Sequence, residues 1–441
     1  MRRTSITVLG GLAVGSLLLT ACGSGSASPP QAAPKVQLPL GSALPGTVKV
    51  GIIVTPQLGA EGHQDLGNAA GARVAQYRLN GTKEDVQLVL AADNGTASSG
   101  SDAVTSLLKA GVTGIVWASD GKHVLAGAKL AAAKGVPVLL PYQVSSQGLP
   151  KGAFITGPSE QQIRRVLSSF ETNPATAKPM VFGDGSSTQL TAAFPGATVI
   201  KLKSLGNPTT VKAKVDRALQ GKTVGEAVVL TNADTSALVV GELQKANVPN
   251  IVIGPAGVLA EFPQALGKSG SGATLHGNLY SVGLSTTDAD ISLSMQAFLQ
   301  ANRLMAAASS TAEVGRLTSI DLAATCFAQG GAATADTRSH DAVIALVAAA
   351  HAARSTRPSS VMDQLKRGFV VTRSDGLAGP TLTFGSTGSV PDDSVVILQS
   401  TGTPSSARQD AARICSATPS DSAAAPYVLP GLQWFAVPRS S

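Results

Sequence analysis

The sequence is poor in charge, in aromatic residues and in cysteine. Only 14% of its 441 residues are charged, 4% are aromatic, and three are cysteines. The 34 Lys and Arg residues outnumber the 27 Asp and Glu residues, but they are scattered and form no long basic run. Nucleic-acid binding relies on clustered positive charge and aromatic stacking, so we expect no nucleic-acid partner. The length and a hydrophobic content of 43% indicate a globular protein with room for two domains.

The signatures of common enzymes and metal sites are also missing. There is no G-x-S-x-G and no H-E-x-x-H, and Gly267-Lys268-Ser269 is only a fragment of a phosphate loop. The first turn lacks the G-x-G-x-x-G of dinucleotide-binding folds. No CxxC or Cys/His cluster indicates a metal site. We therefore predict no enzyme activity, no cofactor and no metal; a catalytic site distributed over the chain is the alternative.

The apolar run near the N-terminus is too short to span a bilayer comfortably. Leu9–Leu19 follows Arg2-Arg3 and has the length of a signal-peptide core. It leads into Leu19-Thr20-Ala21-Cys22, which resembles a bacterial lipobox, in which Cys22 would carry the lipid. We predict a lipoprotein signal peptide over 1–22 and a disordered Gly/Ser/Pro-rich tether over 23–47. Lipid would anchor the protein on the extracytoplasmic face of the cell membrane; a free Cys22 in an ordinary signal peptide is the alternative.

Two cysteines remain beyond the predicted signal peptide. In an exported protein, an even number of cysteines indicates disulfides. We expect Cys326 and Cys415 to be paired, and two separate buried thiols are the alternative.

Apolar runs alternate with helical patterns in two successive units, which predicts an α/β protein with parallel sheets. The predicted strands are 48–54, 86–91, 114–117 and 136–140 in the first unit, and 179–182, 198–202, 226–230 and 250–253 in the second. Later segments predict a connecting strand at 279–284, helices at 289–309, 339–353 and 360–368, strands at 380–384 and 395–399, and a loosely packed tail from 400. Ligands of such sheets bind beyond the carboxyl ends of the strands, here near 55–63, 119–123 and 142–146.

Four stretches resemble the type I periplasmic solute-binding proteins of ABC importers, in particular the leucine/isoleucine/valine-binding family. They are VKVGIIVTPQLGAEGHQDLGNAAGARVA, GVTGIVWASDGKHVLAGAKLAAAKGVPVLLPYQ, NIVIGPAGV, and HDAVIALVAAAHAA followed by GPTLTFGSTGSV. The resemblance implies two doubly wound lobes that are joined by a three-strand hinge and close on a ligand. It places lobe 1 at 48–157 and 284–376 and lobe 2 at 158–283 and 377–441.

The resemblance also implies which loops hold the ligand. On the first lobe it indicates the loop after the third strand and the loop after the fourth; on the second lobe it indicates positions after the first and third strands and a Gly-Pro-acid-Gly loop. The corresponding ligand-binding candidates are Ser119, Asp120, Gly121, Tyr142, Gln143, Val144, Asp184, Thr188, Asn232 and Ala256.

Several candidates have a second interpretation. Asp120 with Lys122 would contact a zwitterion or form a solvated pair, and Asp184 and Asn232 would contact ligand or cap the following helices. His63 would gate the ligand or lie on the surface.

This chain departs from the family pattern where the ligand's ammonium would bind. Ala256 replaces the acid of the Gly-Pro-acid-Gly loop, and Asn232, Ser187 and Thr188 replace aromatic residues. A buried ammonium needs an acceptor or a counter-charge, so Asp184, Asp234 or Asp120 must serve, or the ligand has no ammonium.

The predicted function is capture of a small polar or amino-acid-like ligand for delivery to an ABC permease. A ligand sensor or cell-envelope scaffold on the same fold is the alternative.

Overall fold

The computed structural model describes residues 36–41, 44–55, 66–82, 84–169, 179–184, 188–202, 207–259, 261–269, 277–285, 292–307, 337–386, 388–401 and 433–437. Two large sheets and a short two-stranded sheet make up the β-structure of these residues. None of the helices in these ranges is both long and apolar enough to cross a membrane.

The first sheet contains five parallel strands in the order β2-β1-β3-β4-β5. The strands are β1 Val48–Val54, β2 Val86–Ala92, β3 Gly114–Trp117, β4 Val138–Leu140 and β5 Ala153–Ile155. The central strands are buried along their whole length, which is why they appear in the sequence as continuous apolar runs. The sequence did not predict β5, whose three residues extend the sheet by pairing with β4.

The second sheet has seven strands in the order β14-β13-β10-β9-β8-β6-β7 and is parallel except at one edge. The strands are β6 Met180–Gly183, β7 Thr198–Lys201, β8 Glu226–Leu230, β9 Asn250–Ile253, β10 Asn278–Leu284, β13 Val395–Thr401 and β14 Gln433–Ala436. Both β13 and β14 run antiparallel to their neighbours. Residues 433–436, expected in a loosely packed tail, therefore form an edge strand, in which Trp434 is buried.

The helices pack on the faces of these sheets, as expected for doubly wound α/β layers. They are α1 Ala70–Asn80, α2 Ala97–Ala110, α3 Val124–Ala133, α4 Glu160–Ser168, α5 Thr188–Thr191, α6 Pro208–Leu219, α7 Ala233–Lys245, α8 Glu261–Lys268, α9 Leu293–Ala307, α10 Thr337–Ala353 and α11 Pro358–Lys366. The fold class is therefore the predicted one, with a mixed rather than wholly parallel second sheet.

Local sequence explains where the helices begin. Thr96 starts α2 and Ser159 starts α4 with reciprocal capping boxes that use Ser99 and Gln162. Each box satisfies backbone N–H groups that have no partner inside the helix. These caps fix the loops that precede α2 and α4.

The chain passes between the two sheets at neighbouring points. An isolated parallel bridge joins Ile155 to Gly388, and Ser389 N donates to the Ile155 carbonyl at 3.0 Å. Leu284, the last residue of β10, pairs with Val395, the first of β13. Before this point β11 Val370–Val371 pairs with β12 Leu382–Thr383, and Phe384 packs edge-on against Phe154 at 5.5 Å.

The end of the predicted tether lies against the folded body. Leu38 N donates to the Arg78 carbonyl at 2.9 Å, and Arg78 Nε donates to the Val36 carbonyl at 3.1 Å. Leu38 and Leu40 also pack against the main core. The prediction of a disordered tether is therefore wrong for this segment, because its few apolar side chains find a surface to cover.

A buried polar network joins α1 to α10. Arg78 Nη1 lies 2.9 Å from His340 Nε2 and donates to the Gly376 carbonyl at 3.2 Å. His340 Nδ1 lies 2.7 Å from Asp341 Oδ1, and Asp341 accepts from the backbone N–H groups of Ala378 and Gly379 at 2.8 and 2.7 Å. This network holds the segment after β11 onto the helices of the first sheet.

Candidate functional site

The side chain of Gln143 connects the loop after β3 to the loop after β4. Gln143 Oε1 accepts from Gly121 N at 3.0 Å, while its Nε2 donates to the Ser145 carbonyl at 3.2 Å. The Val144 carbonyl accepts from Glu160 N at 2.8 Å, which connects the loop to α4. Gly121, Gln143 and Val144 therefore lie together at the carboxyl edge of the first sheet, as predicted from strand order.

Tyr142 is more enclosed than a ligand-facing aromatic residue would be. Only 5% of the residue is exposed, and its hydroxyl donates to the Asn68 carbonyl at 2.7 Å. The guanidinium carbon of Arg338 lies 4.4 Å above the ring centroid, within cation–π range. The guanidinium of Arg338 therefore covers one face of the Tyr142 ring, which was predicted to contact the ligand.

Ser119 belongs to a buried polar cluster beneath the strand ends. Its Oγ accepts from Trp117 Nε1 at 3.0 Å and lies 3.4 Å from His123 Nε2. Asp93 Oδ1 accepts from the Thr55 hydroxyl at 2.7 Å, and Asp93 Oδ2 accepts from Trp117 Nε1 at 3.2 Å. Ser119 has no exposed surface, so its hydroxyl supports the loop from inside.

The Asp93, His123 and Ser119 side chains do not form a catalytic relay. A Ser-His-Asp triad needs the acid on one ring nitrogen and the serine on the other. Here Asp93 Oδ2 and Ser119 Oγ both lie 3.4 Å from the same atom, His123 Nε2. Burial raises the pKa of Asp93, but hydrogen bonds from His123 and Thr55 outweigh it and hold that pKa below its usual value.

Asp120 is half-buried and Lys122 is exposed, in the loop between β3 and α3. The structure therefore leaves an acid at the rim of the candidate site. Its contact with a ligand stays a prediction.

The second sheet contributes its own set of strand ends. Asn232 Oδ1 accepts from Thr235 N at 2.9 Å and caps α7, which is one of the two roles predicted for this residue. Asp184 follows β6 directly and is half-buried, and Thr188 begins α5. Ala256 is buried in the 3-10 turn Pro255–Val258 that follows β9.

The sequence did not identify Arg338, which lies between the two sets of loops. Besides stacking on Tyr142 from the first sheet, its Nη2 donates to the Val258 carbonyl of the second at 3.4 Å. Arg338 is the second residue of α10, where a cation meets the positive end of the helix dipole. The helix predicted from residue 339 left Arg338 outside it, so no signal in the sequence pointed to this residue.

Some predicted residues lie outside the described ranges: Cys22, His63, Ser187, Cys326 and Cys415. Their lipidation, gating and disulfide roles stay predictions. Within the part of the chain that the structure describes, no group of three His, Cys, Asp or Glu side chains has the arrangement of a metal site.

Comparison with known protein families and with curated protein sequences finds no match. Solved structures match over most of the chain. The branched-chain amino acid transporter substrate-binding protein LivJ of Streptococcus pneumoniae, in complex with isoleucine, is 16% identical, with a TM-score of 0.60 over 81% of this chain and 97% of LivJ. For the leucine-binding protein LivK of Thermotoga maritima, the identity is 16% and the TM-score 0.57, over 80% of this chain and 95% of LivK.

A third structure has a different ligand. The ABC-transporter solute-binding protein of R. palustris in complex with 4-hydroxybenzoate is 13% identical, with a TM-score of 0.54 over 81% of this chain and 93% of that protein. The chain therefore has the fold of the type I periplasmic solute-binding proteins.

Proposed function

We propose that this protein is an extracytoplasmic solute-binding protein that holds a small ligand between its two sheets and delivers it to an ABC permease. The observation that carries this proposal is the meeting of strand ends from both sheets at Arg338, which contacts Tyr142 on one side and Val258 on the other. Ligands of α/β sheets bind at such edges. The similar structures are substrate-binding proteins, two of them for branched-chain amino acids.

The two sheets would act as lobes around a hinge. Residues 48–157 and 158–283 supply most of the two lobes, as the resemblance implies, and the later segments return to each. The packing of Phe384 on Phe154 and the bridge from Ile155 to Gly388 favour a third crossing after residue 384. Closure around the ligand would give the permease a distinct state to recognise.

The ligand is proposed to be small and polar rather than a simple branched-chain amino acid. The turn that contains Ala256 has no ionisable side chain, and Asn232 has its side-chain oxygen engaged in a cap. An ammonium buried here would need another acceptor.

Export and anchoring complete the proposal. Lipidation of Cys22 would hold the protein at the extracytoplasmic face of the membrane, and Cys326 would pair with Cys415. Palmitate labelling of the wild type and of Cys22→Ser tests the anchor, and alkylation before and after reduction tests the pair.

A ligand screen tests the binding function. The chain without its predicted signal peptide and Cys22, residues 23–441, is melted with amino acids, peptides, sugars, polyols and carboxylates. A ligand at 100 times its Kd adds about 2.7 kcal/mol to the free energy of unfolding, which gives a visible rise in Tm. The rise in Tm caused by a ligand should be smaller in Gln143→Leu, which removes the hydrogen bond between Gln143 and Gly121 N. The rise should be unchanged in the control Gln147→Leu, which alters an exposed residue.

The sensor or scaffold alternative predicts different results. A sensor would bind ligand without stimulating uptake, so transport assays in cells that lack the protein separate it from an importer component. Absence of any Tm shift, with no ligand retained in native mass spectrometry, would support a scaffold.

A further inference from the structure

Two buried hydroxyl groups lie beside each other where a later part of the chain returns to the first sheet. Thr156 follows β5, and Ser389 follows the residue that bridges to that strand. The bridge pairs Ile155 with Gly388 in parallel register, and Ser389 N donates to the Ile155 carbonyl at 3.0 Å. One step further along this register, Thr156 and Ser389 are opposite each other, with Cα atoms about 5 Å apart and side chains on the same face.

Both hydroxyls are withdrawn from solvent. Thr156 is 3% exposed and Ser389 is 2% exposed. Neither hydroxyl oxygen has a hydrogen-bond partner among the residues that the structure describes. A buried hydroxyl without a partner costs free energy, and folded proteins rarely contain one. Two such groups side by side therefore point to a bound polar group between them.

The backbone around the two side chains is already paired. Thr156 N donates to the Leu140 carbonyl at 3.2 Å, and the Ser389 carbonyl accepts from Thr383 N at 2.9 Å. Ser389 N is used in the bond to Ile155. The backbone N–H groups of both residues are therefore occupied and cannot serve the hydroxyls.

We propose that Thr156 and Ser389 form a binding site for one hydroxyl group, supplied by a water molecule or by the solute. A hydroxyl group both donates and accepts, so it can accept from one of these side chains and donate to the other. Thr156 precedes the proposed first crossing between the lobes and Ser389 lies in the proposed third, so the bound group joins two segments of the hinge. Only the version with a solute rests on the proposed function.

Thr156→Val tests the site because valine keeps the shape of threonine and removes the hydroxyl. If a bound group satisfies the hydroxyl, the equilibrium constant for unfolding in urea, extrapolated to water, should rise about fivefold. A hydroxyl without a partner predicts the opposite sign, since its removal relieves a desolvation cost. The control Thr223→Val, at an exposed position, should leave the constant within about twofold of the wild type.

Ser389→Ala and the double variant test whether the two hydroxyls share one bound group. Ser389→Ala should also raise the unfolding constant. Once Thr156→Val has removed one side of the site, the second hydroxyl has less to contact. The effect of the double variant should therefore be smaller than the product of the two single effects, whereas independent hydroxyls would give the full product.

Matched probes and a crystal structure decide which molecule supplies the hydroxyl. Calorimetry on residues 23–441 compares probes that differ by one hydroxyl: lactate with propanoate, L-serine with L-alanine, and L-threonine with L-2-aminobutyrate. If the solute supplies it, at least one hydroxylated probe should bind about 10-fold or more tightly than its partner, and Thr156→Val should remove the preference. If water supplies it, a high-resolution crystal structure without added probe should show a water oxygen about 2.6–3.2 Å from both hydroxyl oxygens.

Three results would overturn the inference. They are stabilisation by Thr156→Val, full multiplication of the two single effects, and crystal structures in which no oxygen of water or probe lies between the two hydroxyls. A preference for a hydroxylated probe that survives in Thr156→Val rejects the solute as the source. If no probe binds, the variants and the crystal structure still decide. The ligand screen decides the proposed function by itself, so failure of this site leaves that function standing.

Discussion

The network of Arg78, His340 and Asp341 makes a specific prediction about stability below neutral pH. Burial lowers the pKa of His340; its hydrogen bond to Asp341 raises the pKa but does not compensate, and the charge of Arg78 lowers it further. Burial also lowers the pKa of Arg78 to about 10, against the opposing effect of Asp341, so this residue is still charged near pH 7. The imidazole is therefore neutral in the folded protein, donating through Nδ1 to Asp341 and accepting from Arg78 at Nε2.

The sign of the pH dependence follows from these directions. Below the unfolded pKa of about 6.5, the unfolded chain takes up a proton at His340 that the folded protein does not. Folding therefore loses stability as pH falls from about 6.5 toward the lowered folded pKa. The loss from this residue is at most about 1.4 kcal/mol per pH unit.

Urea unfolding at pH 7.5 and pH 5.5 measures this contribution. In His340→Gln, the free energy of unfolding at pH 7.5 should fall. The difference in that free energy between the two pH values should shrink by up to about 1.4 kcal/mol relative to the wild type. His351→Gln, at the other end of α10, is the control for removing a histidine. It must retain the pH-dependent difference in unfolding free energy that His340 contributes. If His340→Gln keeps the full wild-type difference, the buried neutral imidazole is refuted.

Three further substitutions test the packing that supports the site. Asp93→Asn should lower the free energy of unfolding by about 3 kcal/mol near pH 7, because the buried cluster loses its negative charge. The advantage of the wild type is present above the unfolded pKa of about 3.9 and disappears as pH falls through the lowered folded pKa of Asp93. Gly127→Ala places a Cβ 2.5 Å from the Trp117 ring, and chemical denaturation should show a loss of about 1–3 kcal/mol. Gly157→Ala meets a backbone oxygen at 2.2 Å, so a larger loss is expected.

Controls make these results interpretable. Gly267→Ala, whose Cβ would have nothing within 4 Å, should not destabilise the protein in the same assay, and its place in α8 favours a small gain in stability. A Gly127→Ala protein as stable as the wild type would contradict the close packing of the Trp117 ring against Gly100 of α2 and Gly127 of α3. For Asp93, an advantage over Asn that did not change with acid would contradict the assigned direction of its pKa.

The sequence was sufficient to predict elements whose burial is expressed in their own residues. The strands β1, β3, β8 and β9 begin and end at the predicted residues, because a strand covered on both faces is a continuous apolar run. The three residues of β5 contain no such run and become a strand only through pairing with β4.

The candidate site was predictable in position but not in the role of each side chain. Strand order alone brings Gly121 and Gln143 to one edge. Whether Ser119 points inward to Trp117, or Asn232 caps α7 instead of contacting a ligand, depends on side-chain rotamers that the sequence does not determine. Arg338 could not be assigned because it meets Tyr142 across almost two hundred residues of chain.

The docking of Val36 and Leu38 onto Arg78 matters for how the protein is prepared. The segment before β1 is rich in Gly, Ser and Pro, so its composition suggests that it can be removed. Removing it would delete the Val36 carbonyl to which Arg78 Nε donates, and it would expose the buried guanidinium of Arg78. The same guanidinium also contacts His340 Nε2, so the cut would weaken the interaction between Arg78 and His340 as well. A recombinant form intended for calorimetry or crystallisation should therefore begin before Val36, so that ligand affinities are not measured on a weakened fold.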